Sequence, residues 1–148
     1  MASGEQIQAA LRRFVAKWEP YTGSERSEAQ TFLNELFACY GTDRLAVGAR
    51  FEDFKSSAGF MDLHWPGICI IEMKAPNRDV SVAREQVRRY WGESSDLEQH
   101  IQAARWVVIS TFRRFEIWEP GKYPNQPVAS LSLTELANRQ PRGRRHRR

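Results

Sequence analysis

The sequence has few of the features of a secreted, disulfide-stabilised or membrane protein. Its 148 residues contain only two cysteines, Cys39 in a predicted helix and Cys69 in an apolar segment, so a disulfide framework and a cysteine-ligated metal are both disfavoured. No apolar run reaches the roughly twenty residues of a membrane-spanning helix, and no signal-peptide pattern is present. We therefore expect one globular, cytoplasmic domain without a membrane partner.

Acidic residues are missing from the C-terminal end, and this determines the sign of the net charge. Residues 139–148 (RQPRGRRHRR) hold six arginines, so the formal charge of +4 leaves +4 − 6 = −2 for residues 1–138. We expect a folded domain at 1–138 and a disordered arginine-rich tail at 139–148 that is attracted to polyanions. Either the tail adds nonspecific affinity as a solvated terminus, or it is a nucleic-acid arm that includes Arg144 and Arg145.

Apolar spacing predicts an α/β domain with a mixed central sheet flanked by helices. An amphipathic helix begins at a capping box of Ser3 and Gln6, and a second helix, capped at Thr22 or Ser27, ends at Gly41. The later elements are a strand at 47–54, two strands within 59–74, a helix from 80 to 91, two strands in RWVVIS and RFEIWE, and a short closing helix in SLTELANR. The strand after the crossover helix is a candidate for parallel pairing.

The stretch GFMDLHWPGICIIEMKAP (59–76) carries charges inside apolar strands. Because side chains alternate, Ile70, Glu72 and Lys74 share one face of the strand and Ile71 and Met73 the other. Glu72 and Lys74 thus lie together near the C-terminal end of a central strand. An open sheet usually exposes such residues to a cleft.

The position of Asp62 depends on the hairpin loop. A loop centred on Gly67 makes paired positions sum to 134 and sets Asp62 opposite Glu72. A two-residue Pro66-Gly67 turn would instead pair Asp62 with Ile71 and send Glu72 to the other face. We therefore predict an odd-length loop or a bulge.

Two neighbouring carboxylates repel each other unless a cation lies between them, and a hard divalent ion such as Mg²⁺ prefers oxygen ligands. Lys74 could then orient or activate a water molecule against a phosphate. In the alternative interpretation, Glu72 and Lys74 form an edge ion pair and Asp62 is a polar residue near a turn. His64 is interpreted as structural, because an oxygen-rich site does not need it.

Asp62-x9-Glu72-x-Lys74 resembles the motif of the PD-(D/E)XK nuclease superfamily, although Met61 stands where the motif's name has proline. The resemblance implies a restriction-endonuclease-like α-β-β-β-α-β core. Gln86 and Tyr90 resemble the Gln-x-x-x-Tyr motif of RecB-like members, on one face of the next helix. Without the strand motif, Tyr90 would equally be a core residue and Gln86 a solvated one.

The segments EAQTFLNELFACYG, ARFE, GFMDLHWPGICIIEMKAPNRD and FRRFEIWE together resemble the N-terminal nuclease domain of MmeI-like restriction-modification enzymes. In such enzymes a helical spacer, an adenine-specific DNA methyltransferase domain and a target-recognition domain follow. The resemblance implies double-stranded DNA as substrate and a methyltransferase or specificity subunit as a possible partner. The chain has no Asn-Pro-Pro-aromatic motif, so we expect it to methylate nothing by itself.

The resemblance also implies roles for individual residues. Asp62 and Glu72 would ligate Mg²⁺ with the carbonyl of Met73, Lys74 would position the attacking water, and Gln86 and Tyr90 would support the site. A further ligand would come from the second helix, where Glu28 is preferred over Glu35. Arg113 and Arg114 would contact DNA phosphates unless they are simply solvated.

These interpretations favour a Mg²⁺-dependent DNA endonuclease domain. One alternative is a catalytically idle fragment that binds DNA or docks to a methyltransferase. Another is a structure-specific nuclease that acts on junctions or ends.

Overall fold

The computed structural model describes residues 2–51, 55–56, 59–60, 62–85 and 104–138. The helices are α1 (Gly4–Trp18), α2 (Glu25–Cys39), a helical segment α3 (81–85) and α4 (Leu133–Asn138). The strands are β1 (Arg50–Phe51), β2 (Lys55–Ser56), β3 (Gly59–Phe60), β4 (Leu63–Trp65), β5 (Cys69–Met73), β6 (Trp106–Ser110), β7 (Arg114–Trp118) and β8 (Ala129–Ser132).

Six of the strands form one mixed sheet in the order β1-β4-β5-β6-β7-β8, while β2 and β3 form a separate two-stranded ladder. β5 and β6 pair in parallel, and the other neighbours in the large sheet are antiparallel. The predicted fold class and the parallel strand after the crossover are thus confirmed. The architecture is consistent with a restriction-endonuclease-like α/β fold.

The two faces of the sheet are covered by different helices. One face, which includes Leu63, Ile71 and Met73, packs on a large cluster contributed by α1, α2 and α4. The other face, which includes Ile70 and Ile109, packs on a smaller cluster to which α3 contributes. Glu72 belongs to the α3-covered face, because it alternates with Ile71 and Met73 along β5.

The start of α1 follows the prediction, whereas the start of α2 does not. Ser3 and Gln6 form the predicted capping box. The N-cap of α2 is Ser24 rather than Thr22 or Ser27, and its hydroxyl accepts a hydrogen bond from the Ser27 amide. At the other end the amide of Gly41, which has a φ of 70°, bonds the carbonyl of Ala38. This left-handed glycine ends α2 as predicted.

Two strand predictions needed correction. The strand expected from Val47 begins at Arg50, since residues 44–48 form turns that include a bond from the Leu45 amide to the Asp43 carboxylate. The edge strand β8 was not predicted. Its register pairs Leu131 with Phe115 of β7. In the described part of the chain, no helix is long and apolar enough to cross a membrane.

Candidate metal and nucleic-acid site

The β4–β5 hairpin has the odd-length loop that the sequence predicted. Leu63 pairs with Ile71 and Trp65 with Cys69, so paired positions sum to 134 and three residues, 66–68, form the loop. The Ile68 amide donates to the Trp65 carbonyl at 3.0 Å, and Gly67 has a φ of 76°. Proline followed by a left-handed glycine is the preferred sequence of a type II turn. The loop therefore keeps Asp62 in register with Glu72.

Asp62 lies one residue before β4 and is attached directly to β5. Its Oδ2 accepts a hydrogen bond of 2.6 Å from the amide of Met73. The next amide along the chain, that of Lys74, donates to the Ser110 carbonyl on the β6 side, so the Met73 amide faces the β4 side. The Asp62 carboxylate thus accepts the hydrogen bond that a backbone carbonyl of the neighbouring strand would normally accept, and this bond holds it beside Glu72.

Burial differs along this face of β5. Glu72 is 3% exposed, whereas Asp62 and Lys74 are half-buried. In the part of the chain that the structure describes, the Lys74 side chain forms no ion pair or hydrogen bond. The arrangement therefore presents a buried carboxylate, a partly accessible carboxylate and an available amine at one end of the sheet.

His64 and the cysteines are buried or half-buried, and the structural role of His64 stays a prediction. His64 is 1% exposed and lies opposite Ile70 within the strand pair. Cys39 and Cys69 are free thiols, and burial raises the pKa of Cys69 to about 11. A thiol with so high a pKa carries almost no thiolate at neutral pH, which makes it a poor nucleophile or metal ligand.

The two glutamates considered as a further ligand lie on α2 and not on β4 or β5. Among the described residues no three His, Cys, Asp or Glu side chains form a group that could hold a metal ion. Glu28 lies on α2, which packs on the opposite face of the sheet, so its ligation stays a prediction. Glu35 instead bonds Lys17 and the indole of Trp18 at 2.8 Å, and so links α2 to α1.

Several predicted residues lie at or beyond the limits of the described chain. Gln86, Tyr90, Arg144 and Arg145 lie outside the described residues, and their roles stay predictions. Arg113 and Arg114 are exposed at the β6–β7 turn. Since Met73 of β5 pairs with Ser110 at the end of β6, this turn lies at the same end of the sheet as Lys74.

One ion pair on the Glu72 face was missed by the sequence analysis. Register places Glu72 opposite Ile109 and Ile109 opposite Glu116, so both acids lie in one row across the sheet. Both carboxylate oxygens of Glu116 bond the guanidinium of Arg84 in α3. This bidentate pair fastens the start of α3 to β7. Nothing in the sequence pattern indicates which acid Arg84 meets.

The contact between Asp62 and the Met73 amide predicts a specific stability effect. Asp62→Ala should cost about 1–3 kcal/mol, because it leaves the Met73 amide without this acceptor. Asp62→Asn keeps an acceptor oxygen and should cost clearly less. Urea unfolding of the two variants tests the contact. Equal losses for Asn and Ala would contradict it.

The Arg84–Glu116 pair predicts a pH-dependent stability. The Arg84 hydrogen bond lowers the pKa of Glu116 below 4.5. A depressed carboxyl pKa adds stability above the unfolded value near 4.5, and this stability disappears as pH falls through the folded pKa. Glu116→Gln should therefore lower the unfolding free energy near neutral pH and lose this deficit in acid. Arg84→Gln should lower the unfolding free energy in the same pH-dependent way, and the double variant should lose no more than either single variant. A loss that persists in acid would contradict the proposed Arg84–Glu116 interaction.

Comparison with known proteins identifies a family for this chain. Neither the curated proteins nor the solved structures include a match to the chain. The family described as "MmeI, N-terminal domain" matches residues 5–145, which is nearly the whole sequence and includes the β4–β5 hairpin, α3 and the β6–β7 turn. The chain therefore belongs to the MmeI N-terminal domain family.

Proposed function

We propose that this domain hydrolyses DNA phosphodiester bonds with the help of Mg²⁺, as the nuclease part of a restriction-modification enzyme. Family membership relates the chain to MmeI-like enzymes, and the cleavage chemistry is the further step. The observation that carries it is the hairpin register, in which Asp62 is bonded to the Met73 amide beside Glu72. Lys74 follows on the Glu72 face without a side-chain partner among the described residues.

The donor set suits Mg²⁺ better than a softer or more demanding metal. The described chain offers the carboxylates of Asp62 and Glu72, and the Met73 carbonyl leaves the strand on the same side as its amide. Mg²⁺ usually keeps several waters and binds through one or two carboxylates plus substrate phosphates. Two carboxylates, with no third acidic side chain grouped with them in the described part of the chain, therefore fit this ion. Glu28 is not needed for the fit.

The chain's own residues would divide the work as follows. Asp62 and Glu72 hold the metal, which when bound supplies Lewis acidity at the scissile phosphate. Lys74 holds the water that attacks phosphorus and orients it in line with the leaving oxygen. Gln86 and Tyr90, which lie outside the described residues, would support the site. Arg113, Arg114 and the tail arginines Arg144 and Arg145 would hold the DNA backbone.

Plasmid nicking tests the proposal. The purified domain should convert supercoiled plasmid into nicked or linear DNA with Mg²⁺ and leave it intact with EDTA. DNA binding without any metal-dependent cutting would contradict the nuclease and favour the idle DNA-binding or methyltransferase-docking role. Adding a separate methyltransferase and specificity subunit tests that docking role directly.

A further inference from the structure

Phe112 adopts an unusual conformation at the end of the sheet that carries Lys74. It is the one described non-glycine residue with a positive φ, at 67°, and its side chain is fully buried. For a bulky residue this left-handed conformation is a genuine outlier, and such outliers concentrate at functional sites. Its ring packs against Tyr21, Phe32 and Trp18, with ring centroids 4.7, 4.9 and 5.8 Å away. The aromatic cluster therefore holds the backbone in this conformation.

The conformation determines where the next two side chains go. Phe112 sits inside a tight turn, in which its amide donates to the Ser110 hydroxyl and the Thr111 amide donates to the Arg114 carbonyl at 3.0 Å. With Phe112 directed into the core, Arg113 and Arg114 are both exposed.

Each of these two guanidinium groups is oriented by a single neutral acceptor. Arg113 donates to the Tyr21 carbonyl at 3.4 Å and Arg114 to the Ser130 hydroxyl at 3.2 Å. A guanidinium has five N–H donors, so most remain available to an anion. Neither arginine forms an ion pair with a described carboxylate. The turn thus presents two oriented cations without a direct ion-pair partner among the described residues, and Glu116, two residues along β7 from Arg114, interacts with Arg114 electrostatically.

Register aligns one of these arginines with Lys74. The Lys74 amide bonds Ser110 and the Thr111 amide bonds Arg114, which continues the β5–β6 and β6–β7 pairing to a row of Lys74, Thr111 and Arg114. By alternation Lys74 and Arg114 lie on the Glu72 face, separated by two strand spacings, or roughly 10 Å. A row of two cations thus borders the row that contains Glu72.

We infer that Phe112 is a positioning residue that turns Arg113 and Arg114 outward, so that each contacts a DNA phosphate and Arg114 contacts one that flanks the phosphate held over Glu72 and Lys74. The inference rests on the proposed function for its ligand, the DNA backbone. A preformed turn presents both guanidinium groups without ordering them on binding, which favours tight contacts to phosphate. Phe112 itself would touch no DNA.

The salt dependence of DNA binding is the measurement that tests this inference. Binding of a short duplex is followed by fluorescence anisotropy in EDTA at several salt concentrations. Removing two phosphate contacts should reduce the slope of log K against log salt by about 2, at roughly 0.9 per contact. We expect this reduction for Arg113→Gln/Arg114→Gln and a reduction of about 1 or more for Phe112→Leu. Adding Phe112→Leu to the double arginine variant should not reduce the slope further.

Phe115→Leu is the matched control, since Phe115 is buried in the same cluster but lies within β7. It should destabilise the domain similarly and leave the slope unchanged at temperatures where circular dichroism shows every variant folded. Equal slopes for Phe112→Leu and wild type would overturn the inference. If Phe112→Leu does not fold, an unchanged slope in the surface arginine variant overturns it instead.

The salt slopes and the plasmid cleavage assay test the positioning role of Phe112 and the proposed nuclease activity separately. Because no Mg²⁺ is present, a protein that never cuts DNA yet shows these slopes keeps the positioning role and loses the cleavage role. If the protein cuts plasmid but the variants have the same slope as wild type, the cleavage role is kept and the positioning role is lost.

Discussion

Replacing Glu72 by glutamine should abolish Mg²⁺-dependent plasmid cleavage, with a loss of at least about 10³-fold, or about 4 kcal/mol of transition-state stabilisation. The side chain keeps its size, so packing on the α3-covered face changes little. What disappears is the negative charge beside Asp62, on which the proposed metal binding depends. Lewis-acid stabilisation worth several kcal/mol would be lost with the ion.

Thermal unfolding with Mg²⁺ supplies a second readout for this variant. A ligand at 100 times its Kd stabilises the folded state by about 2.7 kcal/mol. Wild type should show this gain and Glu72→Gln should not. Glu116→Gln is the matched control, because it makes the same chemical change in the same row of the sheet, two strands away, and should keep both cleavage and the metal-dependent gain. Full activity in Glu72→Gln would rule out the proposed centre.

Replacing Lys74 by methionine should lower the cleavage rate by about 10² to 10⁴-fold, the usual contribution of a group that handles the proton or water in the transition state. Methionine keeps the unbranched shape at this half-buried position. Because Lys74 is not a metal ligand in the proposal, Mg²⁺ should stabilise this variant as much as wild type. Loss of cleavage with retained metal binding would separate the two roles.

Lys122→Met controls for the removal of one positive charge. Lys122 is exposed in the connection after β7, at the opposite end of the sheet from Lys74. Its replacement should leave single-turnover cleavage rates unchanged. If Lys74→Met cut plasmid as fast as Lys122→Met, Lys74 would have no part in the chemistry.

The hairpin could be predicted from sequence because its determinants are local. Alternation along β5 separates Glu72 from Met73, and the loop centred on Gly67 sets the register in which paired positions sum to 134. Both rules follow from the geometry of strands and turns, with no knowledge of the rest of the chain. The face shared by Glu72 and Lys74 follows from the same geometry.

Two kinds of feature could not be predicted: a choice among equivalent local residues, and contacts between distant parts of the chain. Three hydroxyl residues lie within 22–27, and the sequence does not show that Ser24, whose carbonyl also accepts from the Tyr21 hydroxyl at 2.7 Å, becomes the cap of α2. Periodicity in α2 does not reveal which sheet face the helix covers, so it could not relate Glu28 to Glu72. The left-handed Phe112 has no sequence signal, because such a conformation is expected of glycine and is imposed here by side chains from α1, α2 and their link.

A conformation like that of Phe112 costs a non-glycine residue about 1–3 kcal/mol. Burying a large aromatic ring offsets this, since removing one from a core typically costs about 3–5 kcal/mol. The balance favours the observed turn only while the cluster of Trp18, Tyr21 and Phe32 is intact. The aromatic residues of α1, α2 and the link between them therefore stabilise the turn at the end of β6.

The three-residue turn at 66–68 has an evolutionary consequence. All four groups of the proposed centre, from Asp62 to Lys74, lie within thirteen consecutive positions, and their convergence depends on how many residues connect β4 to β5. A deletion or duplication of a single codon there would move the acid at 62 to the opposite side of the layer while every motif residue survived. Relatives that retain the motif letters but differ in this spacing would then be inactive as nucleases, a loss that a motif search alone would overlook.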